Sequence, residues 1–219
     1  MNILVTAGNT QSPIDRVRAI SNIFTGRTGA QIAKLAHERG HSVMLLTSHP
    51  DPEMPHAVQG YRTFDELEAA MSREISSGRY DAIVHAAAVN DYHVIGTYAK
   101  DGDTFVDVSA GKIKSHHAEL WLRMVPAPKL VDKIRRDWGF TRLLVKFKLE
   151  VGVSETELLE IAERSRLHSG ADLMVANTLE GMHQWAYVGA GEYARIPRAD
   201  LAATLFKRLE QLYGVPSEG

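Results

Sequence analysis

The chain of 219 residues contains no cysteine. That absence excludes a disulfide framework, thiolate metal ligation and a cysteine nucleophile. An excess of either charge is missing as well. The 25 Lys and Arg stand against 27 Asp and Glu, for a formal net charge of -2, which gives a nucleic-acid backbone or an anionic membrane surface nothing to hold. No long hydrophobic run exists: the longest lies over 82–89, far short of the ~20 apolar residues that a bilayer requires. The amino terminus, Met-Asn-Ile-Leu-Val-Thr-Ala-Gly, lacks the basic stretch and apolar segment of a signal peptide. A cytoplasmic protein is expected. Internal repeats and low-complexity segments are also lacking.

What is present is ordinary globular composition, 44% hydrophobic and 24% charged, in a length that buries a core unaided. One domain over 1–219 is expected. Short β-rich runs predict strands at 2–6, 42–47, 81–89, 120–125, 143–149 and 171–177. Between them lie helical patterns at 28–39, 64–76, 128–138, 154–168 and 198–212. Ala30, Ile32, Ala33, Leu35 and Ala36 recur at helical spacing and stop at Gly40, and Phe64, Leu67, Ala70, Met71 and Ile75 form a second such face. A hairpin is expected within 183–196, turning at Gly189-Ala190-Gly191. Strands apolar on both faces and separated by single helices predict an α/β chain, a Rossmann-like, doubly wound, mostly parallel sheet with helices on both faces. Segment 92–118, rich in Gly, Asp, Lys and Thr without a clear period, is long for a connection and reads as a functional flap.

In such folds the ligand crevice lies beyond the carboxyl ends of the strands, here the loops 7–27, 48–63, 90–118, 150–154 and 177–185. A glycine-rich loop entering a helix offers free backbone N–H groups and the positive end of a dipole, which suit phosphate; taken singly, each glycine serves only a tight turn. A nicotinamide oxidoreductase is the first alternative, and the residues argue against it. The turn after the first strand reads Gly8-Asn9-Thr10-Gln11-Ser12-Pro13, not Gly-x-Gly-x-x-Gly, and Pro13 interrupts the helix that a dinucleotide fold begins there. Neither Tyr-x-x-x-Lys nor a Gly-Lys-Ser/Thr P-loop occurs.

Read together, the motifs resemble phosphopantothenoylcysteine synthetases over about 3–182. Thr6-Ala7-Gly8-Asn9-Thr10-Gln11-Ser12-Pro13-Ile14-Asp15, Val17-Arg18-Ala19-Ile20-Ser21-Asn22, Thr25-Gly26-Arg27-Thr28-Gly29, Ala86-Ala87-Ala88-Val89-Asn90-Asp91-Tyr92, Lys112-Ile113-Lys114, Phe147-Lys148-Leu149-Glu150 and Val175-Ala176-Asn177 stand in the family's order. The chain departs at Asn9 (family glycine), Arg27 (lysine), Asn90 (alanine) and Ser115 (often a further lysine in bacterial members).

The resemblance implies a ligase. It joins 4′-phosphopantothenate to cysteine through an acyl-nucleotidylate, with CTP or ATP as co-substrate and Mg2+ on the triphosphate. A stand-alone, flavin-free, homodimeric enzyme of coenzyme A biosynthesis is implied. So are its site residues. Asn22 donates from its side-chain N–H₂ to the acyl oxygen, and Arg18, on the same face if that segment is a helical turn, binds carboxylate or phosphate. Lys112 neutralises the α-phosphate, with Lys114 and Arg27 as supporting cations. Gly8, Asn9 and Thr10 form the nucleotide loop, and Gly26 with Arg27 faces the acid substrate. Ala87 and Ala88 allow close backbone approach. Asp91, at the end of a buried strand, holds ribose hydroxyls or Mg2+. Phe147 packs on a base or serves the core. Capping, surface solvation and packing are the plain alternatives for each residue alone, and a non-catalytic nucleotide-binding paralogue is the alternative for the whole.

Overall fold

The computed structural model describes residues 1–214; the last five positions of the expected 1–219 domain lie outside the described residues. Six strands run parallel: β1 (Asn2–Ala7), β4 (Ser42–Thr47), β5 (Ala57–Gly60), β6 (Ala82–His85), β10 (Leu143–Glu150) and β11 (Leu173–Thr178). The antiparallel pair β12 (Trp185–Ala190) and β13 (Glu192–Pro197) extends one edge. The eight-stranded order is β13-β12-β11-β10-β6-β1-β4-β5. Succession reverses between β1 and β6, since the chain moves outward from β1 through β4 and β5 before returning to β6 on the other side. The doubly wound sheet expected from the sequence is the observed one.

Alternation along the strands divides the core into two layers. Ile3 and Val5 of β1, Val84 of β6 and Val145 of β10 meet α1 (Arg27–Glu38) and α5 (Leu201–Tyr213) through Ile32, Ala36, Leu205 and Phe206. On the opposite face Leu4, Leu46, Ile83 and Leu144 meet α2 (Phe64–Ser76) and α3 (Leu130–Arg136) through Leu67, Met71, Leu130 and Ile134. The same face carries α4 (Glu155–Ser169), seated by Leu158 and Ala162 on Met174 and Ala176.

Helix ends follow from local chemistry. Capping boxes start α2 at Thr63 and Glu66 and α4 at Ser154 and Glu157, each cap contributing ~1 kcal/mol. By contrast α1 begins at Gly26, φ 83°, with no side-chain cap and no acid in its first turn. Its leading N–H groups are left for a ligand or water.

Three departures from the sequence reading bear on the site. The run at 120–125 forms a strand, β9 (Trp121–Pro126), but it joins a separate three-stranded antiparallel sheet with β7 (Tyr92–Asp101) and β8 (Thr104–Asp107). Its half-exposed alternation suits a small outlying sheet, not a doubly covered one. Segment 92–118, read as aperiodic, contains that β7–β8 hairpin. Finally, the stretch holding Arg18 is not a helical turn: β2 (Gln11–Pro13) and β3 (Ala19–Ser21) pair antiparallel.

Candidate functional site at the strand-order reversal

At the reversal the loops leaving β1 and β6 are stitched together. The Ala88 N–H donates to the Gly8 carbonyl at 2.8 Å and the Thr10 N–H reaches the Ala88 carbonyl at 3.4 Å. Thr6 Oγ1 stands below them, 2.9 Å from His85 Nδ1 and accepting from the Ala87 N–H at 3.3 Å. His85 is buried, and burial pushes its pKa down to about 4, so a neutral imidazole supports the floor of the crevice.

Glycine is required where α1 meets this loop. A Cβ on Gly26 would lie 2.2 Å from the Gly8 nitrogen, and one on Gly29 would lie 2.6 Å from Ala7 Cβ. The open N-terminus of α1 is therefore held hard against the end of β1, an arrangement suited to an anion. Arg27 is exposed at the first position of that helix.

Asn22 follows β3 and is drawn into the same place. Its Nδ2 donates to the Ala88 carbonyl at 3.0 Å and to Asn90 Oδ1 at 3.3 Å. Asn9, buried beside Gly8, donates from Nδ2 to the Asn22 carbonyl at 2.5 Å and accepts from Ser48 Oγ at 3.1 Å. A cleft of about 610 Å³ opens next to these residues, lined by Asn9, Gln11, Ser48, His49, Tyr61 and Arg62 among others. The Tyr61 hydroxyl donates to the Ala7 carbonyl at 2.6 Å, and its burial pushes the phenol pKa above its ordinary value.

Gly8, Asn9, Thr10, Asn22, Gly26, Ala87 and Ala88 thus converge. Arg18 is held elsewhere: with β2 and β3 forming a hairpin, its guanidinium turns to Asp15 Oδ2 at 2.6 Å and to the Ile113 carbonyl at 2.9 Å. The Asp15 carboxylate also accepts the N–H groups of Val17, Arg18 and Ile113 at 2.8, 2.8 and 3.1 Å. Exposed Lys112 and Lys114 flank buried Ile113, so this latch ties the lysine-bearing loop to the β2–β3 hairpin. Asp91 is not at the end of a buried strand. β6 stops at His85, and Asp91 lies exposed before β7, paired with Lys129. Phe147 is half-buried on β10 and packs against the core layer of α1 and α5.

Asn90 and Ser48 were not among the sequence-assigned site residues. Asn90 was visible only as a departure from a pattern, while Ser48 had no motif; it reaches Asn9 because β4 lies beside β1. A second cleft, of about 500 Å³ between α4 and β13, is lined by Leu159, Glu163 and Tyr193 among others and lies away from the crevice loops.

The latch predicts a definite pH dependence. The Arg18 guanidinium first, then the Val17 N–H, hold Asp15 far below its ordinary value of 3.8. A lowered carboxylate pKa stabilises the fold fully above the unfolded value, and the contribution is lost as pH falls through the lower folded value. The protection factor of the Ile113 amide, measured against its intrinsic exchange rate at each pH, is expected to hold at pH 4.5 and to fall in more acid solution. In Asp15→Asn the amide should be about tenfold less protected wherever the wild-type carboxylate is ionised, the scale of one hydrogen bond to a charged group, and the difference should close in acid as Asp15 takes up its proton. Unchanged exchange in the variant, followed by mass spectrometry, would remove the latch.

A family model described as DNA/pantothenate metabolism flavoprotein C-terminal domain matches residues 1–189. The chain belongs to that family. Its resemblance to phosphopantothenoylcysteine synthetases, read from the motifs, is borne out at this level. It is 34% identical over 218 residues to a Coenzyme A biosynthesis bifunctional protein CoaBC of Thermococcus kodakarensis, covering 96% of this chain and 51% of that protein. The chain spans about half or less of the length of the curated relatives it matches. Among solved structures, the DNA/pantothenate metabolism flavoprotein from Streptococcus pneumoniae matches with TM-score 0.83 and 26% identity, over 96% of this chain and 99% of that one. A Cab2 mutant in complex with phosphopantothenate-cysteine matches with TM-score 0.72 and 14% identity, over 97% and 86%, a likeness of fold. Among the described residues no helix is long and apolar enough to cross a membrane.

Proposed function

We propose that this chain is a ligase that forms the amide between 4′-phosphopantothenate and cysteine in coenzyme A biosynthesis, using CTP or ATP. The observation that carries the reading is the position of Asn22, drawn from an extended excursion onto the Ala88 carbonyl at the strand-order reversal, beside the uncapped start of α1. A doubly wound sheet places its ligand there, and the family description and the relatives' names point to pantothenate metabolism and coenzyme A biosynthesis.

In this reading the acid's carboxylate attacks the α-phosphorus, pyrophosphate departs, and an acyl-nucleotidylate forms. The cysteine amine then forms the C–N bond as the nucleoside monophosphate leaves. The N-terminus of α1, with Gly8, Asn9, Thr10, Gly26 and Arg27, holds phosphate oxygens. Lys112 and Lys114 bring positive charge from the latched loop at 92–118, which acts as a flap, and Arg18 offers what remains of its guanidinium to the acid's anionic end. Ala87 and Ala88 let the substrate approach the backbone closely. Phe147 lines the nucleotide side of the crevice.

Magnesium fits this chain only as an ion carried by the nucleotide. Among the described residues no group of three His, Cys, Asp or Glu side chains is placed to hold a metal, and Asp91, the carboxylate assigned to it, is paired with Lys129. Triphosphate oxygens with one or no protein carboxylate are a usual environment for Mg2+, whose chemistry is to shield the triphosphate charge.

The chain acts as a homodimer through the β7–β8–β9 sheet. Phe105 and Trp121 are 53% and 52% exposed, their rings 5.1 Å apart, with Ile95, Val106 and Met124 also exposed on that sheet. Phe105 and Trp121 share one face of that sheet, and an exposed aromatic pair is the kind of contact that interfaces bury. Trp121→Asp is expected to halve the mass measured by sedimentation.

The deciding experiment measures pyrophosphate release and amide formation by purified protein with 4′-phosphopantothenate, cysteine and Mg2+, comparing CTP with ATP and omitting each component in turn. Release that requires the acid, followed by amide when cysteine is added, supports the ligase. Absence of release with both nucleotides overturns it.

A further inference from the structure

Asn9 and Asn90, the departures from the family pattern on either side of the crevice floor, both bond to Asn22. Their arrangement determines which way the Asn22 carboxamide is turned. Asn90 Nδ2 donates to the Ile20 carbonyl at 3.1 Å. A carbonyl oxygen can only accept, so the Asn90 nitrogen must face Ile20 and its Oδ1 must face Asn22. The Asn90 backbone is held as well, its N–H donating to Thr10 Oγ1 at 2.8 Å. Asn22 Nδ2 then lies between two pure acceptors, the Ala88 carbonyl at 3.0 Å and Asn90 Oδ1 at 3.3 Å, and both of its hydrogens are used. Among the described residues no donor reaches Asn22 Oδ1. Asn9 completes the arrangement by holding the Asn22 carbonyl from the other side at 2.5 Å.

We infer that Asn90 is a positioning residue that presents Asn22 to the site as a hydrogen-bond acceptor, so that Asn22 Oδ1 receives an N–H of the attacking amine. The inference rests on the ligase reading and revises the role that the sequence assigned to Asn22, donation to the acyl oxygen. That role would need a free N–H, and both are taken. In the step itself the amine nitrogen supplies the electron pair of the new C–N bond. The bond between the acyl carbon and the phosphoryl oxygen breaks, its pair leaving with the nucleoside monophosphate, and the surplus proton on nitrogen passes to water. Asn22 orients the neutral amine so that its lone pair faces the acyl carbon, an effect of alignment. An acceptor gives no such help to a nucleophile without an N–H, whereas a donor to the acyl oxygen would assist every nucleophile.

The test follows from that contrast. Wild-type protein is first given 4′-phosphopantothenate with CTP or ATP and then cysteine; if no amide forms, the ligase reading fails, whatever Asn90 does. Where amide forms, consumption of the acyl-nucleotidylate is compared for cysteine and for 2-mercaptoethanolate, which attacks through sulfur. Asn90→Ala is expected to slow the cysteine reaction about tenfold through kcat. Acid-dependent pyrophosphate release and the thiolate reaction should stay within about twofold of wild type. Equal slowing of both nucleophiles would restore the donor role, and no slowing of either would remove Asn90 from the mechanism; both overturn the inference. Should Asn90→Ala fail to fold, Asn90→Ser, which keeps a hydroxyl able to donate and accept, is put through the same comparison with the same expected bias against the amine.

Discussion

Asn22→Ala is expected to lower amide formation by about 100-fold while acid-dependent pyrophosphate release continues. The expectation comes from where the side chain is anchored. Both side-chain contacts of Asn22 reach the loop after β6, through Ala88 and Asn90, and neither touches the start of α1, where the phosphates are proposed to sit. Removing the carboxamide leaves the Ala88 carbonyl without that donor, though the Thr10 N–H still reaches it. Both loops are half-exposed and water can replace the lost bonds, so the stability cost should be only ~1 kcal/mol. Rapid-quench measurement of the two half-reactions separates the cases. A fall in pyrophosphate release matching the fall in amide would place Asn22 in the activation step and sink the assignment.

Gly26→Ala should have the largest effect on the fold among single-methyl changes at the site. A side chain at φ 83° costs ~1–2 kcal/mol from left-handed backbone strain. The added carbon would also lie 2.2 Å from the Gly8 nitrogen and 2.7 Å from Gly8 Cα. Ser48 closes the far side of Gly8, where an added Cβ would lie 2.1 Å from Ser48 Oγ and 2.9 Å from the Ser48 nitrogen. Overpacking of this kind adds ~1–3 kcal/mol, for a total of about 2–5 kcal/mol in urea unfolding. Gly40→Ala is the control: its φ is 78° and its Cβ position meets nothing within 4 Å, so it should show only the strain. Equal midpoints for the two variants would mean that the Gly8–Gly26 contact is soft and that α1 is not fixed against β1. If it is fixed, the alanine variant should also lose nucleotide binding, since moving α1 moves the N–H groups assigned to phosphate.

The roles of Asp15 and Arg18 show how far motif reading extends. The sequence placed both in the first loop and assigned Arg18 to substrate, yet most of its hydrogen-bonding capacity goes to Asp15 and Ile113. Spacing of four residues suggested a shared helical face with Asn22. A β-hairpin separates them instead, because Pro13 and the extended pairing of 11–13 with 19–21 exclude a helix there. The lysine-bearing loop shows the converse. Nothing in the local sequence of Lys112-Ile113-Lys114 says what holds it, and the holder is a carboxylate far away in the chain.

Local chemistry alone determined the five helices and most strands of the main sheet, because a buried parallel strand needs a continuous apolar run and an amphipathic helix a period of 3.6. It determined α2 over Phe64–Ser76 and β4 over Ser42–Thr47 without error, and hence the doubly wound class and the end of the sheet where a ligand belongs. Absence of cysteine fixed which chemistries were closed. Only tertiary structure decided that β9 leaves the main sheet, that Asp91 pairs with Lys129, and that Asn9, Asn22 and Asn90 form one hydrogen-bonded unit. Those outcomes depend on which loops the strand order brings side by side. A carboxamide's orientation is set by whichever donors and acceptors arrive there from distant segments, and no local period or propensity encodes their arrival.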